Sequence, residues 1–516
     1  MTPEVLLDYR PLWAVLISLI AAGLIMLTGK RPNLREAWTV MAAFGKAIIV
    51  FSMLPAVLAG KILEIEPIHL AKGITLHLHA DPLGMVFAVL ASFLWILTSF
   101  YSIGYVRKME EKHQTGYFAS FAVCLAATMG IAFAANLLTF FLFYEMLTIA
   151  TYPLVVHKRS DEAINAGRKY LSYTLIAGQL FLVGIVWTYI IAGTGDFQPG
   201  GFLAGVAASN TVLKAIFLLM ILGTIVKAGV MPLHGWLPSA MIAPTPVSAL
   251  LHAVAVVKAG AFGVIRIIGF VFGPQLLSEL GVAAVLAAVA GFTIVCSSVI
   301  AMNQDNLKRR LAFSTIGQLS YVVLGAALLT PFGMVGAIFL IVAHACMKIT
   351  LFFCAGALHA TAHLDNVSEL DGIGRKMPFT MGAFAVGSLG IVGLPLIAGF
   401  IGKWNLSLGA LQAGKPIYVA ILIISAMLSS AYLFPIVFKA FFKKPSPSFH
   451  SEAHSEEHSG HGEHKEANKG MLIPLLITAA VSIVLGVYPN AGAHLYDLAV
   501  MAAQSIAQGQ SIGGGW

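Results

Sequence analysis

Glu145 stands near the middle of Leu137–His157, LLTFFLFYEMLTIATYPLVVH, a stretch otherwise apolar enough to cross a membrane. The remaining acidic residues of the 23 fall in loops, tails or segment ends. A charge at the centre of a bilayer costs at least ~2.5 kcal/mol, so it persists only with a partner, a cavity or a task. Lys227, Lys258, Lys348 and Lys403 also lie inside apolar segments and are the natural partners. One buried acid with four buried bases suggests a path for protons or cations. Burial raises a carboxylate pKa and lowers an amine pKa, and pairing reverses both shifts. A Glu/Lys pair is therefore a switch: once separated, the lysine can release its proton near neutral pH. Lysine suits this role because its pKa shifts readily, whereas arginine stays charged, and no arginine is expected deep within a span.

On this chemistry Glu145 is the switching carboxylate and Lys227 its partner. Lys258 is the next carrier, Lys348 a central one and Lys403 the exit-side one. His252 lies six residues before Lys258, about 120° away around a regular helix, and His344 lies four before Lys348, on the same face. Both are secondary relay candidates, although a lone histidine in an apolar run is commonly a packed core residue. His234, His359 and His363 sit near segment ends and are weaker candidates. Lys348 could instead pack its stem and snorkel.

The elements that must position these groups are helices in a membrane. The 516-residue chain is 58% hydrophobic and 10% charged, with a mean hydropathy of +0.86, against about 25% charged residues in soluble domains. An all-α polytopic membrane protein of about fourteen spans is predicted, at 11–28, 37–60, 82–105, 117–135, 137–157, 170–192, 212–231, 246–270, 281–302, 311–329, 332–360, 379–409, 416–438 and 471–488. The first is expected to be a retained helix, since no cleavage site follows it. Pro232–Pro244 reads as re-entrant or half-helical, and 493–507 as amphipathic or interfacial.

The net charge of +8 follows membrane topology and does not point to nucleic acid. Basic clusters fall in alternate loops: Lys30/Arg31/Arg35, Arg107/Lys108/Lys112, Lys158/Arg159/Arg168/Lys169, Lys308/Arg309/Arg310, Arg375/Lys376 and Lys439/Lys443/Lys444/Lys465/Lys469. The other loops hold only Arg10, Lys61, Lys72, Lys214 and Lys415, with Arg266 at a span end. By the positive-inside bias, both termini lie outside. The cysteines Cys124, Cys296, Cys346 and Cys354 sit in apolar segments without metal spacing and read as small core residues.

Two spans are interrupted alike. Residues 223–238, GTIVKAGVMPLHGWLP, and 390–404, GIVGLPLIAGFIGKW, each combine Gly, Pro and one lysine. A simple proline kink is the plain alternative. Paired interruptions in two halves point to broken helices of an inverted-repeat transporter, tolerable only where the freed backbone is buried in protein or lines a cavity. The polar loop 443–470 spaces His450, His454, His458, His461 and His464 so that a helix would carry them on one face. A weak transition-metal site or proton-collecting patch is conceivable there, but a solvated loop is the plain reading. No Walker A, HExxH, nucleophile elbow or dinucleotide fingerprint is present; no bond chemistry and no cofactor are expected of this chain alone.

These residues resemble a known family, the antiporter-like membrane subunits shared by respiratory complex I, membrane-bound hydrogenases and Mrp-type cation/proton antiporters. The resemblance is carried by FFLFYEMLTIATYPLV around Glu145, VKAGVMPLHGWLPSAMIAPTPVSALLHAVAVVKAGAF from Val226 to Phe262, DNLKRRLAFSTIGQLSYVVLG from Asp305, HACMKITLFFCAGAL from His344 and GLPLIAGFIGKW from Gly393. It implies two inverted five-helix repeats, near 117–270 and 281–438, within a proton-conducting core over 116–440. Helices 1–115 precede this core, a His-rich loop follows at 441–470, and a last span and tail occupy 471–516. It also implies relay roles for Glu145, Lys227, Lys258 and Lys403. Size and motifs look most like the D-type component of an Mrp-type antiporter or its hydrogenase counterpart, while SALLHAVAVVKAG leans toward the larger subunits. Ending soon after its fourteenth span, the chain is expected to lack the long lateral helix of the largest relatives. The expected function is proton translocation within a multisubunit monovalent cation/proton antiporter in the cell inner membrane. The partners would be other membrane subunits, protons and Na or K ions. The alternatives are the pumping arm of an NADH-quinone oxidoreductase or hydrogenase, and a purely structural membrane subunit.

Overall fold

Lipid offers the backbone no hydrogen bonds, so each apolar run satisfies itself as a helix. The computed structural model describes residues 4–71, 74–444 and 466–507. Its long helices are α1 (Arg10–Leu27), α2 (Pro32–Leu58), α3 (Pro82–Lys108), α4 (Gln114–Ala132), α5 (Leu137–Val155), α6 (Asp161–Ala192), α7 (Asn210–Ala228) and α8 (Thr245–Phe272). They continue as α9 (Val282–Met302), α10 (Leu307–Ala327), α11 (Pro331–Ala362), α12 (Pro378–Val392), α13 (Ala398–Gln412), α14 (Ile417–Phe442), α15 (Lys469–Val487) and α16 (Leu495–Ala507). Helices occupy all fourteen expected positions, α12 and α13 together at the twelfth, and twelve of the described helices are long and apolar enough to cross a membrane. The helices start where local chemistry dictates. Asp81, Asn136, Ser160, Ser209, Asn306, Thr330 and Asn468 each accept a first-turn amide, which satisfies donors the helix leaves free.

One boundary departs from expectation. Helix α6 starts two turns early, at Asp161, because Ser160 caps it and Asp161 and Glu162 suit its N-terminus. The loop after α2 carries short strands. Strand β1 (Val5–Leu7) pairs in parallel with β2 (Ile62–Glu64), which pairs antiparallel with β5 (His79–Ala80), while β3 (Ile68–Ala71) pairs with β4 (Ile74–Leu76). The alternation in KILEIEPIHLAKGITLHLHA carries that period of two. Helix α16 is amphipathic as expected, and its inner face (Leu495, Leu498, Ala499, Ala502, Ala503, Ile506) is buried against α11 and α3. His450–His464 lie outside the described residues.

The loops sort to two ends. Arg107 bonds Asn33 and Glu36, Arg35 bonds Gln114, and His157 faces Glu111 at 3.6 Å. Asn306 bridges Asn366, Gly372 N donates to Lys439 O, and Asn468 reaches Gly104 O. A cavity joins Lys158 and Lys169 to Lys308 and Arg309. The described members of the six basic clusters thus gather at one end of the bundle. Asp81, Asp196, Phe270 and the small sheet meet at the other. Helices α8 and α11 are buried along their whole apolar length and form the axis around which the rest pack.

Two stretches of the chain share construction details. Asn136 caps α5 and bridges Asp196, in the loop before α7; Asn306 caps α10 and bridges Asn366, in the loop before α12.

Candidate functional site

Helix α5 presents Glu145 between α6 and α7. A Cβ at Gly178 of α6 would collide with Glu145 Oε1, so glycine is what lets α6 approach the carboxylate. Lys227, in the last turn of α7, places Nζ 3.7 Å from that oxygen. It donates instead at 2.6 Å to the Tyr144 carbonyl and lies 3.2 Å from the Tyr144 ring centroid. Neither carboxylate oxygen of Glu145 has a hydrogen-bond partner among the described residues, though both are shielded from solvent. Glu36 and Asp81 are more deeply enclosed acids, each 5% exposed, but both grip arginines directly. What distinguishes Glu145 is therefore a neighbouring cation at arm's length and no direct bond.

Helix α7 ends immediately after Lys227. Gly229 takes φ +77°, a conformation that a Cβ disfavours. Trp236, opening the short helix Trp236–Ser239, donates its indole N–H back to Val226 O at 2.8 Å. The break expected here is thus a real interruption held by a side chain. The second break lies between α12 and α13. Gly393 has φ +94°, and Lys403 of α13 donates to Ile391 O at 2.6 Å and Val392 O at 3.0 Å. A helix C-terminus carries unsatisfied carbonyls and partial negative charge, and an ammonium is its complement.

Lys258 and His344 meet across α8 and α11, Nζ to Nδ1 at 2.5 Å. Two cations cannot share that distance, so at least one of the two groups is neutral there. His344 Nε2 is buried without a partner among the described residues. Lys348, one turn on, donates to Ser314 Oγ at 2.7 Å and reaches Leu311 O at 3.3 Å; Tyr432 OH donates to the same hydroxyl at 2.8 Å. Among the described residues only Lys227 of the four lysines has a carboxylate within 4 Å.

His252 needs a correction. The 120° offset assumes a regular α-helix, but Leu250–Val254 form a π-helical turn ending at a distorted Ala255 (φ −110°, ψ −88°). The extra residue re-aims the ring onto Phe352, 4.8 Å between centroids, and both ring nitrogens are buried without partners among the described residues. Such turns recur at functional positions in helices. His234 stands at the first break beside Phe313. His359 pairs with Asp365 at 3.0 Å and His363 ends α11; both lie toward the basic end, away from the lysine row.

Two buried charges escape the sequence reading as partners. Arg266, at a span end as expected, is 1% exposed, bonded to Asp81 at 2.5 and 2.7 Å and flanked by Phe197, Phe262 and Phe270. A carboxylate arriving from the N-cap of α3, at the same end of the bundle, compensates it. The Asp–Pro start of α3 is the available signal. Lys46 in α2 is fully buried, donating to Leu125 O at 3.0 Å with Trp95 4.4 Å away.

Comparison with known proteins bears on this arrangement. A family profile described as "NADH:quinone oxidoreductase/Mrp antiporter, TM" matches residues 134–429. The chain is 32% identical over 418 residues to NADH-quinone oxidoreductase subunit N of Desulforudis audaxviator, covering 79% of this chain and 81% of that one. It is 25% identical to the D component of a Na(+)/H(+) antiporter of Alkalihalophilus pseudofirmus, covering 92% of each. A chain in the structure of the Mrp complex from Dietzia sp. DQ12-45-1b shares the fold, with a TM-score of 0.84, 21% identity and 97% of both chains covered.

Proposed function

The chain belongs to the NADH:quinone oxidoreductase/Mrp antiporter transmembrane family, and from that premise we propose that it translocates protons as a subunit of a multisubunit monovalent cation/proton antiporter. The observation that supports the proposal is four buried lysines with, among the described residues, a single carboxylate within 4 Å of any of them. In low dielectric, four unpaired ammonium groups would be prohibitively costly together, so the row must hold fewer protons than it has sites. Vacant and filled sites side by side are what a relay needs.

In the proposed sequence Glu145 holds a proton on Lys227. When the pair separates, Lys227 passes its proton toward Lys258, which meets His344. That proton moves to Lys348 through hydration that His252 can join, and on to Lys403. Lys403 stabilises its ammonium on the carbonyls freed at the second break and releases its proton when those carbonyls move. We take 117–270 and 281–438 as the two inverted repeats, supported by the matched asparagine caps and bridges. We place the basic end at the cytoplasmic face of the inner membrane with both termini outside, by the positive-inside bias. Other membrane subunits are the partners, and Na or K ions the exchanged species, in line with the printed name of the Na(+)/H(+) antiporter relative.

The alternative is the pumping arm of an NADH-quinone oxidoreductase or hydrogenase, favoured by the 32% identity to an oxidoreductase component. The membrane chemistry is then the same and electrons elsewhere drive it. Purifying the chain with its partners in mild detergent separates the two: small hydrophobic subunits without redox centres support the antiporter, whereas flavin or iron–sulfur partners support the pump. Lys227→Ala tests the relay itself. Proton flux by the intact complex should be abolished, and unchanged flux would exclude this route. A purely structural role requires Glu145→Gln with Lys227→Met to assemble and transport normally.

A further inference from the structure

At the basic end, the chain folds around an open cavity of about 540 Å³. One wall comes from the earlier part of the chain: Lys158, Glu162 and Lys169 near the start of α6, with Ser239 beyond the first break. The other comes from the later part: Lys308 and Arg309 at the start of α10, with His359 and Asp365 at the end of α11. Three lysines and Arg309 face two carboxylates, burial pushing Lys308 down to about 8, yet none of the four forms an ion pair with a carboxylate among the described residues. Lys169 is held by a neutral group, Ser239 Oγ at 3.0 Å, and Lys308 by the Ala243 carbonyl at 3.1 Å. Asp365 is taken by His359 at 3.0 Å. Its carboxyl is held below the ordinary range first by that hydrogen bond and then by the positive charge around it.

We propose that this cavity binds a phosphate group, bridging those two parts of the chain. Its volume lies within the range of small-ligand sites, ~300–1,000 Å³. The uncompensated charge is positive, and the planar fork of Arg309 suits paired contacts to phosphate oxygens. The walls converge from sequence positions about 150 apart, so an occupant ties Lys169 and Ser239 on one side to Lys308 on the other. Nothing in the relay of Glu145 and the lysines requires this site. Its ligand is either the headgroup of an anionic phospholipid or free phosphate, which present the same oxygens.

The test uses the full chain, delipidated in neutral detergent, with thermal unfolding as the readout. One arm adds inorganic phosphate against chloride at equal ionic strength. The other compares nanodiscs containing phosphatidylglycerol with phosphatidylcholine alone. A binding shift in the first arm assigns free phosphate, and a shift in the second alone assigns the lipid headgroup. With two charge-assisted contacts removed, Lys158→Gln with Arg309→Gln should weaken binding at least about tenfold, while Lys158→Arg, which keeps the charge and leaves the Arg309 fork intact, retains it. If the glutamine pair fails to fold, Glu162→Gln, which removes a carboxylate from the wall, should tighten binding instead. No shift in either arm, or equal shifts in wild type and charge-removed variants, would overturn the proposal.

Discussion

Gly178→Ala tests the relay without touching a titratable group. The added methyl would collide with Glu145 Oε1, lying 2.7 Å from its Cδ and 3.1 Å from Oε2. Ordinary contact needs roughly 3.5 Å, so the carboxylate or α6 must yield by about 1 Å. The Glu145–Lys227 separation of 3.7 Å sets the consequence. At an effective dielectric of about 20, the attraction at that distance is about 4.5 kcal/mol; moving 1 Å away lowers it to about 3.5, and 1 Å closer raises it to about 6. Displacement outward weakens the hold on the lysine proton, and displacement inward resists the separation that releases it. Either changes the step by about 1 to 1.7 kcal/mol, a roughly five- to eighteenfold change in flux. The assay is cation-driven proton flux by the intact complex in vesicles, with Gly23→Ala as control, since a Cβ there meets nothing within 4 Å. Normal flux from a folded Gly178→Ala complex would refute the reasoning that Glu145 acts through its distance to Lys227.

Three further outcomes are expected. Lys403→Met strips donors from Ile391 O and Val392 O, costing about 1–3 kcal/mol for each carbonyl left unsatisfied, and should lower both Tm and flux. Lys403→Arg keeps the donors but cannot release a proton, so Tm should survive while flux is lost; full flux would show that proton release at this position is dispensable. Asp81→Ala leaves Arg266 buried and unpaired, a loss of about 3–5 kcal/mol visible in thermal unfolding, and Asp81→Leu with Arg266→Met should recover much of it. An unchanged Tm in the single variant would mean that water already compensates the arginine. Asp365 bonds His359, and that hydrogen bond, ahead of nearby lysine charge, depresses its folded pKa. A depressed carboxyl contributes stability that is complete above its unfolded value, roughly 3.9, and is lost as pH falls through the folded value. Hydrogen exchange around residues 363–370 should therefore stay slow through neutral pH and quicken only below that range; quickening between pH 5 and 7 would assign control to another group.

The sequence by itself determined the membrane class, the fourteen helical positions, both breaks and the identity of the unusual charges. Each follows from a local cost: apolar runs must become helices in lipid, Gly and Pro interrupt them, and a charge such as Glu145 in an apolar run is expensive enough to stand out. The short strands of the loop after α2 carry a legible alternation, but the stronger helical signal on either side masks it. Partner choice was decided only by tertiary structure. Lys258 meets His344 from 86 positions away, Arg266 meets Asp81 from 185 away, and Lys403 folds back on the two carbonyls that its own broken helix exposes. Periodicity assigns a residue to a face, but the packing of helices distant in sequence decides which side chain meets it there. The π-turn before Lys258 shows the limit of the same logic within one helix, because one added residue rotates His252 away from where regular spacing would put it.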